Sequence, residues 1–175
     1  MRCFFSIEIP EEIKQKLIQI QKKVKCKSTL AKEGQLHITL LFLGEVSEEK
    51  IERLIKKTEK LNFKSFEVKI KNTGAFPSEK KPQVFWAGVE SSEIKNLNVE
   101  IKKMAEEAGI ETEDREFQPH LTLGRIREKC NLEKLIEENK KEFGGFKVDE
   151  ILLKKSVLTS EGFEHKTIGK IYLTG

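Results

Sequence analysis

The most informative feature of the sequence is a short motif that occurs once in each half of the chain. His37-Ile38-Thr39-Leu40 recurs as His120-Leu121-Thr122-Leu123 about half a chain length later, each time within an apolar run typical of a strand. Residues i and i+2 of a strand lie on the same face of a sheet, so each histidine should share a face with its threonine. Two imidazoles and two hydroxyls facing one cleft could perform acid–base chemistry on a phosphate.

The side chains of the motif match what breaking a phosphodiester requires, which is a base to activate the nucleophile and an acid to protonate the leaving oxygen. Histidine suits both roles because its ordinary pKa of about 6.5 lies near working pH. We therefore predict that His37 and His120 are the catalytic pair, and that the hydroxyls of Thr39 and Thr122 donate hydrogen bonds to the phosphate oxygens. No Asp, Glu or Cys stands at ligand spacing beside these histidines, so neither a metal nor another cofactor is predicted.

The third histidine shows how weak the bare tripeptide is as evidence. His165-Lys166-Thr167 also satisfies His-x-Thr, but Lys166 replaces the apolar residue of the other two copies. We interpret His165 as structural or peripheral. Taken singly, His37 or His120 could equally be a hydrogen-bonded core histidine or a surface residue, and the functional interpretation depends on their occurring as a pair.

The elements that must position the motifs repeat in the same order, with strand, helix, histidine strand, helix and strand in each half. This order predicts a single domain of residues 1–175 with two similar lobes that face each other and bring the two histidine strands together at a pseudo-two-fold axis. The lobes would span about 1–75 and 83–175, and Asn72–Gln83, with its glycine and prolines, would connect them. We also predict a helix that carries Leu132 to Phe143 and ends at Gly144 and Gly145.

Composition and cysteine usage limit the class of protein. The 175 residues are 35% charged and 37% hydrophobic, with a net charge of +4, which permits an anionic partner without requiring one. Cys3, Cys26 and Cys130 are odd in number and widely spaced, so neither a disulfide framework nor a zinc site is predicted. No apolar run approaches the roughly 18 residues of a membrane span, and no signal-peptide pattern is present. We expect a monomer in the reducing cytoplasm, without a membrane partner.

The two motifs in their context resemble those of the two-histidine (2H) phosphoesterases. The matching segments are His37-Ile38-Thr39-Leu40 with Phe42-Leu43-Gly44, and Phe117-Gln118-Pro119 followed by the second motif and Gly124-Arg125. The strongest likeness is to the RNA 2′,3′-cyclic phosphodiesterase branch, also called 2′-5′ RNA ligase-like proteins, and it covers essentially the whole chain. The resemblance implies a bilobal α+β fold, with two pseudo-symmetric repeats and antiparallel sheets around a central cleft. It also implies metal-independent opening of a terminal 2′,3′-cyclic phosphate to a 2′-phosphate and, for some members, the joining of RNA ends through a 2′-5′ linkage.

The resemblance further implies roles for individual residues. His37 would protonate the departing 3′-oxygen while His120 activates water, although the pseudo-symmetry would allow the reverse. Arg125 would contact the phosphate, and Phe42, at the same offset in the first motif, would stack on a base. Strict alternation puts both on the strand face opposite His and Thr, so a bulge, twist or strand end is needed to turn them into the cleft. Otherwise Phe42 is ordinary core and Arg125 a solvated arginine at a strand end.

Three functions remain open from the sequence. The chain could be a cyclic phosphodiesterase acting on RNA ends. It could be a related enzyme for a small cyclic-phosphate nucleotide or a 2′-5′ oligonucleotide. It could also be a non-catalytic protein that binds RNA ends in the same cleft.

Overall fold

The computed structural model describes residues 1–175 and contains nine strands, four α-helices and one short 3-10 helix, Glu33–Gln35. The helices are α1 (Glu11–Gln21), α2 (Glu48–Thr58), α3 (Ile94–Glu107) and α4 (Glu133–Glu138). The strands are β1 (Arg2–Glu8), β2 (Ser28–Leu30), β3 (His37–Glu45), β4 (Phe66–Pro77), β5 (Pro82–Glu90), β6 (His120–Ile126), β7 (Glu142–Val148), β8 (Glu150–Thr159) and β9 (Gly162–Tyr172). None of the helices combines the length and the hydrophobicity that crossing a bilayer requires.

Local sequence explains the boundaries of α2. The Ser47 hydroxyl accepts a hydrogen bond from the Lys50 amide at 3.3 Å, which caps the first turn. Glutamates occupy that first turn and Lys56 and Lys57 occupy the last, so the charges complement the helix dipole at both ends. Helix α2 therefore begins directly after a serine, a residue type favoured as a helix cap.

The strands form two antiparallel sheets, in the orders β3-β1-β8-β9 and β2-β6-β5-β4-β7. Each sheet contains the histidine strand of one half of the chain beside the first strand of that half. The halves also exchange strands, because β8 from the second half adds to β1 and β4 from the first half adds to β5. One continuous cluster of 37 buried apolar residues joins both sheets. The predicted α+β class with antiparallel sheets is confirmed.

The segment Asn72–Gln83 is a hairpin rather than the predicted connection between lobes. Strand β4 continues to Pro77 and pairs along its length with β5, leaving only a short turn between them. Gly74 was interpreted as a loop signal, but a Cβ atom at this position would overlap the indole ring of Trp86. The glycine therefore allows close side-chain packing across two paired strands, which has the same sequence signature as a loop.

Helix α4 is shorter than predicted. It ends at Glu138, where the Asn139 side-chain amide donates a 2.8 Å hydrogen bond to the Leu135 carbonyl. The predicted end of the helix, Gly144 and Gly145, lies inside β7, where β7 pairs with β4. Phe143 is buried as the helical pattern predicted, but it is buried from a strand. Pairing with a strand more than seventy residues earlier decided between two elements that local periodicity does not distinguish.

Cys26 and Cys130 form a disulfide, which corrects the prediction from cysteine spacing that no disulfide is present. Their Cα atoms are 6.1 Å apart although 104 positions separate them in the sequence. The bond joins the segment after α1 to the segment after β6, while Cys3 is free and buried. Sequence spacing could not reveal this pair because only the pairing of β2 with β6 brings the two segments together.

We expect Cys26→Ser to lower the free energy of unfolding by about 2–4 kcal/mol, because a cross-link that closes a long loop reduces the entropy of the unfolded chain. Denaturant unfolding of the oxidised wild type and of the variant measures the difference. A reductant should destabilise the wild type and leave Cys26→Ser unaffected. Equal unfolding midpoints for the two oxidised proteins would contradict the stabilising role of the bond.

Candidate active site

The first motif lies on one face of the first sheet. His37 pairs with Glu8 and Thr39 pairs with Ser6 across β1 and β3. Directly opposite residues of antiparallel strands point to the same side, so His37 and Thr39 share a face as predicted. Phe42 pairs with Phe4, which is also on that face because Phe4, Ser6 and Glu8 alternate along β1. Phe42 is 64% exposed, so the alternative that it is ordinary core is wrong.

The second motif repeats this arrangement in the second sheet. On β6, His120 pairs with Gly88, Thr122 with Trp86 and Arg125 with Val84. The three partners alternate along β5, so His120, Thr122 and Arg125 share one face. Arg125 is exposed, and its guanidinium is therefore free to meet an anion from solvent.

A β-bulge in each motif accounts for the positions of Phe42 and Arg125. In β3, Thr39 and Leu41 pair with consecutive residues of β1, so Leu40 is the extra, unpaired residue. In β6, Leu123 is extra in the same way, between Thr122 and Gly124. A bulge shifts the alternation of a strand by one residue. Each bulge lies directly after the threonine of its motif. The shift brings the third residue after that threonine, Phe42 or Arg125, to the face of the His and Thr side chains.

His37 lies in an environment that disfavours its protonated form. Only 8% of the residue is exposed, and its ring stacks on Phe4 with centroids 5.2 Å apart. Burial, followed by the nearby Lys154 cation and by His165, lowers the pKa of His37 from 6.5 to about 3. Its Nδ1 atom is buried without a hydrogen-bond partner. In the ligand-free protein His37 is therefore neutral at pH 7.

This lowered pKa predicts a pH dependence of stability. The unfolded chain binds a proton at this histidine below its ordinary pKa of 6.5, whereas the folded protein does so only near pH 3. The contribution of neutral His37 to the free energy of unfolding is therefore complete above pH 6.5. It is lost as the pH falls toward 3. The loss should reach about 1.4 kcal/mol per pH unit. Urea unfolding at pH 7, 6, 5 and 4 should show a steeper loss for the wild type than for His37→Gln, and parallel losses would contradict the prediction.

His165 belongs to this cluster, so of the two predicted alternatives, structural or peripheral, the peripheral one is wrong. Its ring lies 5.3 Å from that of His37 and 4.8 Å from that of Phe4, measured between centroids. Burial and then Lys154 lower the pKa of His165, while Glu8 acts in the opposite direction.

Lys154 and Glu8 form an ion pair beside the two histidines, and sequence reasoning did not identify it. The Lys154 side chain is 6% exposed and the Glu8 side chain 36% exposed. Lys154 lies opposite Phe4 in the pairing of β8 with β1. The Lys154 cation adds to the effect of burial in lowering the pKa of His37.

His120 is more accessible and is oriented by a hydrogen bond. Its Nδ1 atom lies 2.8 Å from the Gln118 carbonyl oxygen, and because a carbonyl only accepts, Nδ1 carries the hydrogen. The other ring nitrogen, Nε2, is then the atom that can accept a proton from a nucleophile. Phe76 packs edge-on against this ring at 5.4 Å and also contacts Trp86.

The two histidine strands lie next to each other, with Cα atoms of β3 and β6 within 8 Å. Trp86 pairs with Thr122, and its indole nitrogen is buried without a hydrogen-bond partner. No three of the His, Cys, Asp and Glu side chains converge as a group that could hold a metal ion. The site therefore offers imidazoles, hydroxyls, a guanidinium and aromatic rings, a combination suited to a nucleotide phosphate.

Comparison with known proteins places these residues in context. The model of the LigT-like phosphoesterase family matches residues 7–86 and 89–163. A protein of Methanocaldococcus jannaschii named RNA 2′,3′-cyclic phosphodiesterase is 36% identical over 93% of this chain and 95% of its own. A protein of Archaeoglobus fulgidus with the same name is 33% identical over 96% of this chain and 98% of its own.

Two solved structures show similar folds. The crystal structure of TT0787 of Thermus thermophilus superposes with a TM-score of 0.86 at 29% identity, covering 100% of this chain and 99% of the other. The crystal structure of Escherichia coli LigT complexed with 3′-AMP superposes with a TM-score of 0.85 at 25% identity, covering 99% and 98% of the two chains.

Proposed function

The chain belongs to the LigT-like phosphoesterase family, and from that premise we propose that it hydrolyses a terminal 2′,3′-cyclic phosphate of RNA to a 2′-phosphate. The observation that carries the proposal is the duplicated His and Thr pair, each on one sheet face and each followed by a bulge at the same position. Relatives at 33–36% identity over almost the whole chain are named for this activity. We propose that the two faces border one cleft that holds the phosphate.

In the proposed reaction no metal takes part. Nε2 of His120 removes a proton from water, the water oxygen forms a bond to phosphorus, and the bond from phosphorus to the 3′-oxygen breaks. His37 donates a proton to the departing 3′-oxygen, so the product carries a 2′-phosphate and a 3′-hydroxyl. The Thr39 and Thr122 hydroxyls donate hydrogen bonds to the non-bridging oxygens, where negative charge increases in the transition state.

His37 must gain a proton before it can act as the acid. Its pKa near 3 means that the free protein holds it neutral. The negative charge of a bound phosphate favours the imidazolium and opposes the effect of Lys154. We propose that His37 acquires its proton as the substrate binds, so that binding at pH 7 is accompanied by proton uptake.

Arg125 and Phe42 complete the proposed substrate site. The Arg125 guanidinium can form paired hydrogen bonds to phosphate oxygens, which a lysine could not reproduce. Phe42 offers an exposed ring next to Phe4, with centroids 6.1 Å apart, on which a nucleobase could stack. Replacing water with the 5′-hydroxyl of another RNA in the same step would produce a 2′-5′ linkage.

A second candidate substrate is a small cyclic-phosphate nucleotide. The structure of Escherichia coli LigT with 3′-AMP, a single nucleotide, favours testing it. RNA as the partner, the monomeric state and the cytoplasmic location stay predictions. The Cys26–Cys130 disulfide removes the cysteine count as an argument for a reducing compartment.

The decisive experiment incubates the protein in EDTA with a short RNA that ends in a 2′,3′-cyclic phosphate, and identifies the terminal phosphate formed. We expect a 2′-phosphate. A parallel reaction with a cyclic mononucleotide tests the second candidate, and a higher kcat/KM for the mononucleotide would favour it. A 3′-phosphate product, or activity only with added metal, would overturn the proposed mechanism. Binding without turnover would identify the protein as a binder of RNA ends.

A further inference from the structure

Two buried side-chain amides bond to the bulges of the two motifs. The Asn98 amide nitrogen lies 2.8 Å from the Leu40 carbonyl oxygen, and the Gln21 amide nitrogen lies 2.8 Å from the Leu123 carbonyl oxygen. Leu40 and Leu123 are the extra residues of the two bulges. Asn98 is 8% and Gln21 is 5% exposed. The same main-chain atom of each motif therefore accepts a hydrogen bond from a buried amide.

The two contacts cross between the halves of the chain. Gln21 is the last residue of α1, in the first half, and it bonds to the second motif. Asn98 lies in α3, in the second half, and it bonds to the first motif. Each histidine strand is thus attached to a helix from the opposite half. Different amides at different helix positions reach equivalent atoms, which points to a requirement at those atoms.

That requirement follows from the chemistry of a bulge. The extra residue of each bulge has no partner on β1 or β5, so its main-chain carbonyl needs hydrogen bonds from other parts of the chain. Gln21 also donates to the Ala31 carbonyl at 3.0 Å, and the Ala31 amide donates to the Leu123 carbonyl at 2.9 Å, so the second bulge is held from two sides. The bulge in turn determines that Thr39 and Phe42 share one face, and that Thr122 and Arg125 share the other.

We propose that Asn98 and Gln21 are positioning residues that hold the two motif bulges in register and thereby aim the phosphate-binding side chains of each motif into the site. The activity arm of the test rests on the proposed function, whereas a second arm measures only the binding of inorganic phosphate. The third buried amide of the chain, Asn139, donates to Leu135 in α4 and does not contact either motif. Asn139→Leu is therefore the matched control.

The test compares Asn98→Leu and Gln21→Met with Asn139→Leu at a temperature where circular dichroism shows all three folded. We expect kcat/KM for the cyclic-phosphate RNA to fall by about 10- to 100-fold in the first two variants, since misplacement of reacting groups by ~1 Å can cost about 100-fold. The affinity for inorganic phosphate, followed by the fluorescence of the single tryptophan, Trp86, should fall in the same two variants. Asn139→Leu should lose stability and keep both quantities.

Double-mutant cycles separate positioning from general destabilisation. Asn98→Leu should add little to the loss caused by Thr39→Ala, because both act through the first motif, but should multiply the loss caused by Thr122→Ala. Gln21→Met should show the opposite pattern. Asn98→Ala and Gln21→Ala, which remove the donating amide and leave a smaller side chain, carry the same test if the first two variants do not fold.

The outcomes are distinguishable. Equal coupling of each amide to both threonines, or an equal loss in Asn139→Leu, would overturn the positioning role. If the wild type does not hydrolyse the cyclic phosphate, the proposed function fails, and the same cycles measured by phosphate affinity still support or overturn this inference. If both arms follow the expected pattern, each motif is held in its binding geometry by the opposite half of the chain.

Discussion

Replacing either His37 or His120 with alanine should lower kcat for a cyclic-phosphate RNA by about 10²–10⁴-fold, the usual contribution of a positioned general acid or base. The reason is that neither Thr39 nor Thr122 can exchange a proton near neutral pH, so both transfers then depend on water. Single-turnover rates in EDTA measure the loss. Because the two histidines act in one step, the double variant should be less impaired than the product of the two single effects.

Isosteric variants provide the controls for folding. His120→Asn can keep the hydrogen bond to the Gln118 carbonyl, which Nδ1 of the histidine makes at 2.8 Å, while removing Nε2. His37→Gln fills the buried space beside Phe4 without a titrating group. Both variants should remain folded and bind RNA, yet be nearly as inactive as the alanine variants. Turnover close to that of the wild type in either would exclude that histidine from the chemistry.

A substrate with sulfur in place of the 3′-oxygen of the cyclic phosphate should restore most of the activity lost in His37→Ala. A thiol has a pKa of about 8.5, far below that of an alcohol, so the thiolate departs without a proton from the protein. The expected gain approaches the factor that the acid supplies, about 10²–10⁴-fold. The ratio of rates for the sulfur and oxygen substrates, measured in each variant, tests the assignment of roles.

The matched control is His120→Ala with the same sulfur substrate. If His120 is the base, water still needs activation and this variant should stay inactive. Restoration of His120→Ala, with none for His37→Ala, would reverse the two roles and make His37 the base. His37 would then act in its neutral form, which is the form that its pKa near 3 favours at pH 7 in the ligand-free protein.

The sequence by itself determined that each histidine shares a strand face with its threonine, and the family resemblance indicated the class of the fold. A His-x-Thr pattern flanked by apolar residues is a local property, because alternation along a strand places both side chains on one face without reference to the rest of the chain. The confirmed α+β class was implied by the family resemblance, whereas local helix and strand periods indicate only which segments form each element. The repeated order of elements was visible from those periods.

Only the tertiary structure decided which further residues join those faces. Strict alternation puts Phe42 and Arg125 on the wrong side, and it is the bulges at Leu40 and Leu123 that bring them to the histidine face. The bulged carbonyls bond to amides 58 and 102 residues away in the sequence, so no local pattern could report them.

The other features that the structure corrects also depend on contacts between distant parts of the chain. The placement of His165 beside His37, the Cys26–Cys130 bond and the β4–β5 hairpin each depend on which strands pair across the chain. Strand pairing is set by the burial of whole faces in a shared core, whereas glycine, proline and cysteine spacing records only the local backbone. The paired His and Thr motifs are thus readable in the sequence, and the geometry that surrounds them is a property of the assembled sheets.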